Sequence, residues 1–310
     1  NDSIRALPNF MWNVSREMND VDIMPLDTTL NNWRIDYPYQ LVGTGDITLG
    51  GLGQSTLPFN YFYRPTSPDF TFAQSYDAYP YRMENVPFYN SKTPYLNFMY
   101  LESGQKRYRE EHFEIMASQN INPSTSVSLN FRSRGSRSKY DVSRVKNKNF
   151  AGTVAHTGRR YSVFAGYTHN KIEQQESGGV VGDWAITDTV FEMPSGVPMK
   201  LAEAEAENTY RNNGFYLVQS IGIPLQRMTD SDFSMANLSA VYIGHAFEYS
   251  AWSKTYQDIR AEYTNERDHR DENGDFVSAT GEYYKHWYIT PSQPRDSLYE
   301  RRISNRFFVQ

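Results

Sequence analysis

The densest group of side chains able to do chemistry is a run of cations, Arg132, Arg134, Arg137, Lys139, Arg144, Lys146 and Lys148, interrupted only by Asp141. Such a run can concentrate anionic solutes by focusing the field, or it can pair with lipopolysaccharide phosphates or acidic loops; the residue types allow both. Nucleic acid is excluded as main partner, because a polyanion requires concentrated positive charge and the net charge is −5. The acidic run Asp268-His269-Arg270-Asp271-Glu272-Asn273-Gly274-Asp275 invites comparison with a calcium loop. Taking Gly274 as the turn glycine puts His269 at the first ligand position and Thr280 at the last, and neither is a carboxylate. Asn273-Gly274 reads instead as a tight hairpin tip.

Catalytic constellations are equally thin. His112, His156, His169, His245, His269 and His286 include no pair at metal-ligand spacing on one face, and Cys 0 removes thiolate sites and disulfides. His156 and Ser162 flank a short turn, but no Gly-x-Ser-x-Gly elbow is present. The glycines Gly43, Gly45, Gly50, Gly51 and Gly53 lack the lysine of a phosphate loop and read as turns. The expectation is a protein that is not an enzyme, with no catalytic residues, no metal and no cofactor.

The elements that would position these residues are strands. From Tyr95 onward apolar residues recur every second position, the period that sends successive side chains to opposite faces of a sheet. Val127, Leu129 and Phe131 fall on one face and Ser126, Ser128, Asn130, Arg132 and Arg134 on the other. Leu96, Phe98 and Tyr100 make a second row, Phe113, Ile115 and Ala117 a third, and Tyr161, Val163, Ala165 and Tyr167 a fourth. Weaker rows appear at Phe150–Val154, Phe215–Ile223, Ala236–Ala246, Glu282–Ile289 and from Arg302. The runs are about 9–11 residues, the length a tilted strand needs to cross a bilayer. Short turns at Asn120–Ser124 and Thr157–Arg160 alternate with long connections at Gly135–Asn147, Lys171–Asn212 and Phe247–Phe276, which puts the long loops at one end of an up-and-down antiparallel sheet.

The solvent on each face follows from composition. Hydrophobic residues make up 39% and mean hydropathy is −0.69, too polar for a bundle of membrane helices, yet aromatic residues reach 15%. Rings gather near strand ends, charges and hydroxyls line the polar rows, and no amphipathic helices are available to cover the apolar rows. The fold class expected is therefore all-β, an antiparallel up-and-down transmembrane β-barrel with an irregular N-terminal arm. Glu114, Ser118, Ser128, Asn130, Arg132 and Arg134 are expected to line the pore. Phe98, Phe113, Ile115, Val127, Leu129, Phe131, Val163 and Tyr167 are expected to face lipid. A secreted β-sandwich binding glycans is the soluble competitor.

Residues 1–92 form the arm, rich in proline and aromatic rings at Trp33, Tyr37, Tyr39, Phe59, Tyr61, Phe62 and Tyr63. It would plug the lumen or dock on a periplasmic subunit. Helical hints occur at Phe10–Met18 and Met199–Glu207. In the longest connection, Gly178-Gly179 with Val180, Val181 and Trp184 would fold inward to narrow the pore or contact an outside partner. No basic, apolar leader opens the chain at Asn1, as expected once an export signal has been removed.

The residues also carry a resemblance. Thr93-Pro94-Tyr95-Leu96, Gly104, Phe113 to Gln119-Asn120-Ile121, and Leu129-Asn130-Phe131 look like the opening of an outer-membrane porin family of Bacteroidota. The likeness continues through Gly158-Arg159-Arg160-Tyr161, Asn170, Glu176-Ser177-Gly178-Gly179-Val180 and Leu201-Ala202-Glu203-Ala204. In the arm, Leu49-Gly50-Gly51-Leu52-Gly53 is similar to the family's Leu-Gly-Asn-Leu-Gly, with glycine replacing asparagine. These segments span most of the chain in order. The resemblance implies an outer-membrane β-barrel of the porin type in the bacterial outer membrane. Family barrels are longer and outer-membrane strands commonly end on an aromatic residue, whereas Phe307-Phe308-Val309-Gln310 does not, so residues 93–310 are expected to supply part of a barrel. The expected function is diffusion of small hydrophilic solutes; the alternative is a plugged structural subunit of a larger envelope complex. Expected partners are outer-membrane lipid, lipopolysaccharide and envelope proteins.

Overall fold

A computed structural model describes residues 9–14, 21–26, 46–48, 50–64, 68–104, 109–137, 142–158, 160–180, 197, 199–201, 206–224, 240–258, 269–270, 276–277, 288–289 and 294–309. The strands in chain order are β1 (Asn9–Val14), β2 (Val21–Pro25), β3 (Asp46–Thr48), β4 (Thr56–Pro58), β5 (Phe88–Ser91), β6 (Tyr95–Ser103), β7 (Glu110–Asn122), β8 (Thr125–Ser136), β9 (Val145–Thr157), β10 (Tyr161–Gln175), β11 (Ala206–Pro224), β12 (Ala240–Asp258), β13 (His269–Arg270), β14 (Phe276–Val277) and β15 (Arg295–Val309). The protein is all-β and antiparallel. One eight-stranded sheet runs β6-β7-β8-β9-β10-β11-β12-β15 and does not close on itself.

Two-residue alternation explains the strands. Along β9, Val145, Asn147, Asn149, Ala151, Thr153 and Ala155 are buried on the inner face while Lys146, Lys148 and Val154 are exposed on the outer one. The β7–β8 turn carries Asn122, whose Oδ1 accepts from the Ser124 N–H at 2.9 Å, an Asx turn, with a bulge between Asn120 and Asn122. The β9–β10 turn closes through the Gly158 N–H, which donates to the Tyr161 carbonyl at 2.8 Å. Connections 104–109, 137–144, 176–205 and 259–294 all lie at the opposite end from these turns, as the alternation of loop lengths predicts. Pro224 of β11 and Ala240 of β12 pair at the short-turn end, and the residues between them lie outside the described set.

Residues 68–91 and β1 pack against the inner face, and the core sits between them. Phe70, Ala73, Tyr76 and Tyr79 pack on Val145, Ile172, Tyr210 and Trp252 toward the long-loop end. Trp12, Val14, Met83 and Phe88 pack on Ala155, Tyr216 and Val218 toward the short-turn end. Each fully buried apolar or aromatic side chain of this size contributes about 1.5–3 kcal/mol, which offsets part of the ordering cost of the arm's irregular backbone.

Several expectations are corrected. Phe10–Met18 is not a helix where it is described: Asn9–Val14 is β1, paired on both sides with β2 and β5, because tertiary pairing overrides weak local propensity. At Met199–Glu207, Met199 bridges Val180 and Ala206-Glu207 opens β11, with residues 202–205 outside the described set. Apart from β6, with 9 residues, the barrel-type strands are longer than 9–11 residues; β7 has 13 and β11 and β12 have 19, since pairing continues into what reads as polar loop sequence. Thus Lys171–Gln175 belongs to β10 and Phe247–Asp258 to β12. Of Glu282–Ile289, only Tyr288 and Ile289 are described, and neither is in a strand. The arm is less irregular than expected: it holds a three-stranded sheet β2-β1-β5 and a β3-β4 pair.

Candidate functional site

The inner face is polar across most of its width. On β7 and β8, Glu114 and Arg132 stand directly opposite, as do His112 and Arg134. Arg132 grips Glu114 through Nε to Oε2 at 2.7 Å and Nη2 to Oε1 at 2.9 Å. Arg134 Nε donates to His112 Nδ1 at 3.1 Å, and His112 Nε2 lies 3.3 Å from Glu114 Oε2. That bond fixes the tautomer with Nδ1 as acceptor and Nε2 as donor.

A second feature crosses β9 to β12. Asn149 Nδ2 donates to Asn170 Oδ1 at 2.8 Å, Asn170 Nδ2 to Asn212 Oδ1 at 3.1 Å, and Asn212 Nδ2 to Ser250 Oγ at 3.0 Å. The arm docks on this ladder. The Tyr81 N–H donates to Asn170 Oδ1 at 2.8 Å, and the Tyr81 carbonyl accepts from Asn170 Nδ2 at 2.9 Å. An amide side chain thus acts toward Tyr81 as a neighbouring strand would, satisfying both of its backbone groups.

Arm tyrosines cover the cations. The Tyr81 ring lies 5.1 Å from the Arg132 guanidinium carbon and the Tyr79 ring 5.8 Å from that of Arg134. The Tyr79 hydroxyl donates to the Gln54 carbonyl at 2.7 Å, and the Tyr89 hydroxyl reaches Asn130 Oδ1 at 3.4 Å. Burial pushes the phenols of Tyr76, Tyr81 and Tyr89 above their ordinary range, so they stay protonated, and the Tyr76 hydroxyl donates to Gln174 Oε1 at 3.2 Å. Gly50, Gly51 and Gly53 form a turn, as their residues predict, while Gly43 and Gly45 lie outside the described residues: Gln54 N–H donates to the Gly51 carbonyl at 3.0 Å, and Gly53 has φ +88°, which a side chain would strain. That turn is anchored at the long-loop end, where the Leu52 N–H donates to Glu110 Oε1 at 2.9 Å and Asn147 Nδ2 to the Gly53 carbonyl at 3.0 Å.

The arrangement offers a polar inner surface with buried, orphaned atoms, among them Arg134 Nη1 and Nη2, Ser136 Oγ, Asn147 Oδ1 and Asn149 Oδ1. It offers no assembled nucleophile. His156 Nδ1 contacts Thr125 Oγ1 at 2.9 Å, and strand parity sends His156 to the outer face and Ser162 to the inner one. Among the described residues no group of His, Asp and Glu is placed to hold a metal ion.

A family model described as "Putative porin" matches residues 9–310. The chain belongs to this family. No curated protein and no solved structure matches it. In this porin-family chain Glu114, Ser118, Ser128, Asn130, Arg132 and Arg134 all lie on the inner face, with Arg134 fully buried. Phe98, Phe113, Ile115, Val127, Leu129, Phe131, Val163 and Tyr167 all lie on the outer face; Phe98 and Leu129 are about 60% exposed, and among the described residues no other layer covers the row.

The cationic run is not one rim. Alternation sends Arg132 and Arg134 inward and Lys146 and Lys148 outward, and Glu114 neutralises Arg132. Lys139 and Asp141 lie outside the described residues, as do Val181, Trp184 and the Asn273-Gly274 tip, although β13 and β14 pair antiparallel around that tip. Sequence reasoning missed the asparagine ladder and the part played by Tyr79 and Tyr81. The available signal was the recurrence of Asn147 and Asn149, then Asn208 and Asn212, at alternate positions on strands whose other face carries aliphatic and aromatic residues farther along.

Proposed function

We propose that this chain is a bacterial outer-membrane β-barrel protein that passes small hydrophilic solutes by diffusion, with its N-terminal arm seated in the lumen as a constriction. The supporting observation is the contrast between the faces. The outer one exposes Phe98, Leu129, Tyr167, Phe215, Ile303 and Phe307, while the inner one carries Ser, Thr, Asn, Arg and Glu. Apolar outside and polar inside is the arrangement a barrel needs in lipid. Nothing chemical happens to the solute; charged and amide groups along a wet path bias which ions and polar molecules enter.

The complete burial of Arg134, Asn147, Asn149 and Asn170 beneath the arm favours a second reading, a plugged structural barrel serving an envelope complex. Planar-bilayer recording of the purified protein separates the two. A channel that conducts as isolated supports diffusion past the arm. Current only after deletion of residues 1–92 supports the plugged subunit. A protein that remains soluble without detergent and never inserts overturns both.

A further inference from the structure

The pairing register brings three cations side by side on the outer face. Lys171 of β10 stands directly opposite Lys148 of β9 on one side and Arg211 of β11 on the other. Their chain neighbours Asn147, Asn149, Asn170, Ile172, Tyr210 and Asn212 are all buried inward, so the three side chains project away from the arm. Like charges directly opposite in a sheet destabilise it, so such a row calls for a counter-charge. Lys171 contacts Glu173. The same Glu173 carboxylate interacts electrostatically with Lys148, while among the described residues no carboxylate is in ion-pair contact with Arg211.

The rows nearer the short turns give the height of this one. Next comes His169 between Phe150 and Asn213, then Tyr167 between Gly152 and Phe215, then Ala165 between Val154 and Leu217, then Val163 between His156 and Gln219, and finally Tyr161 opposite Ile221. Tyr161 and Tyr167 are exposed at the two edges of a band in which Val154, Val163, Ala165 and Leu217 are apolar and His156 and Gln219 form a polar row beside Tyr161. From Tyr161 to Tyr167 the strand climbs roughly 20 Å along its own axis, or about 16 Å along the membrane normal at a tilt of about 40°, and Lys171 lies about 10 Å farther along that normal. The cations therefore stand beyond the interfacial Tyr167 ring, at the level of lipid headgroups on the long-loop side.

We infer that Lys148, Lys171 and Arg211 form a binding site for the phosphate of a phosphorylated lipid headgroup in the leaflet on the long-loop side. This rests on the outer-membrane reading. The row supplies a spread of donors to phosphate oxygens, Arg211 as a planar fork and the lysines as point charges, and a lipid whose acyl chains lie on the Tyr167 and Phe215 row presents its phosphate there.

The test uses the full chain in phosphatidylcholine nanodiscs carrying bis-phosphorylated lipid A or the same lipid dephosphorylated, with occupancy read by native mass spectrometry. The wild-type protein should retain lipid A and not the dephosphorylated form. Charge removal should weaken retention about fivefold per site, and roughly a hundredfold for Lys148→Gln/Lys171→Gln/Arg211→Gln. Lys148→Arg should keep it, and single variants serve if the triple variant does not fold. Equal retention of both lipids, unchanged retention by a folded triple variant, or displacement by inorganic phosphate overturns the site. Failure to enter nanodiscs instead overturns the membrane reading.

Discussion

Glu114 and Arg132 face one another across β7 and β8 and are joined at both carboxylate oxygens, at 2.7 and 2.9 Å. The cation therefore arrives on the inner face already neutralised, and the selectivity of the path depends on the carboxylate as much as on the guanidinium.

Glu114→Gln should leave Arg132 and Arg134 uncompensated and move the reversal potential toward anions, whereas Arg132→Ser should move it toward cations. Replacing both Arg132 and Arg134 with Ser should abolish any anion preference. Each single change should also destabilise the fold by about 1–3 kcal/mol, less than for a fully sealed pair because both side chains keep some exposure. Reversal potentials in a salt gradient check the first claim, and unchanged values for all three variants would remove these residues from the path.

Docking of the arm should depend on Asn170. Asn170→Ala removes two bonds to the Tyr81 backbone and two rungs of the ladder, costing the arm about 1–3 kcal/mol of docking free energy. Asn170→Asp keeps the acceptor and loses the donor, so it should fall between. Limited proteolysis of the arm in detergent reads the opening directly: cleavage between residues 50 and 91 should rise in the order wild type, Asn170→Asp, Asn170→Ala.

The strands, their antiparallel order and the two faces were legible in the sequence because period-2 alternation is a local signal. Val127, Leu129 and Phe131 against Ser128, Asn130 and Arg132 needed no knowledge of what lay above either face. Strand ends were not legible. Lys171–Gln175 and Phe247–Asp258 look like loop by polarity, yet they pair, because above an apolar band a barrel-type strand continues with polar residues on both faces. The arm's docking was illegible for a related reason: Tyr81 and Asn170 are far apart in sequence, and only the folded register makes an amide side chain equivalent to a strand edge. Arg134 and Lys148 sit in one charge run but diverge by strand parity, which a composition count conceals.

Stability should fall as pH rises through the range set by Glu176. Burial holds its carboxyl above the usual glutamate value, and the Asn208 Nδ2 donor at 2.7 Å only partly counters this. The folded state therefore binds a proton more tightly than the unfolded chain. Its contribution is fully present below the unfolded-state value near pH 4 and is lost as pH climbs through the raised folded value. Denaturant midpoints measured across this range should decline with pH in the wild type, and Glu176→Gln should flatten this component while leaving the low-pH midpoint close to that of the parent. A wild-type midpoint that rises over the same interval, with no difference in the variant, would contradict the assignment.

Two glycines carry a packing role that a double-mutant cycle can isolate. Gly166 of β10 pairs with Tyr216 of β11, and Gly244 of β12 with Phe308 of β15. At both places a Cβ on the glycine would overlap the partner's ring. The Tyr216 ring uses the space over Gly166 to pack edge-on to Phe88 of the arm, with centroids 6.3 Å apart. Gly166→Ala must push that ring aside and loosen the arm's lower core, at about 1–3 kcal/mol. Tyr216→Ala alone should cost about 3–5 kcal/mol. Once the ring is gone, adding Gly166→Ala should be neutral or slightly stabilising, because alanine loses less backbone entropy than glycine on ordering into a strand. The coupling between the two sites should therefore approach the full cost of Gly166→Ala in the parent. Additive effects in denaturant titrations would mean that the ring and the glycine do not share one space.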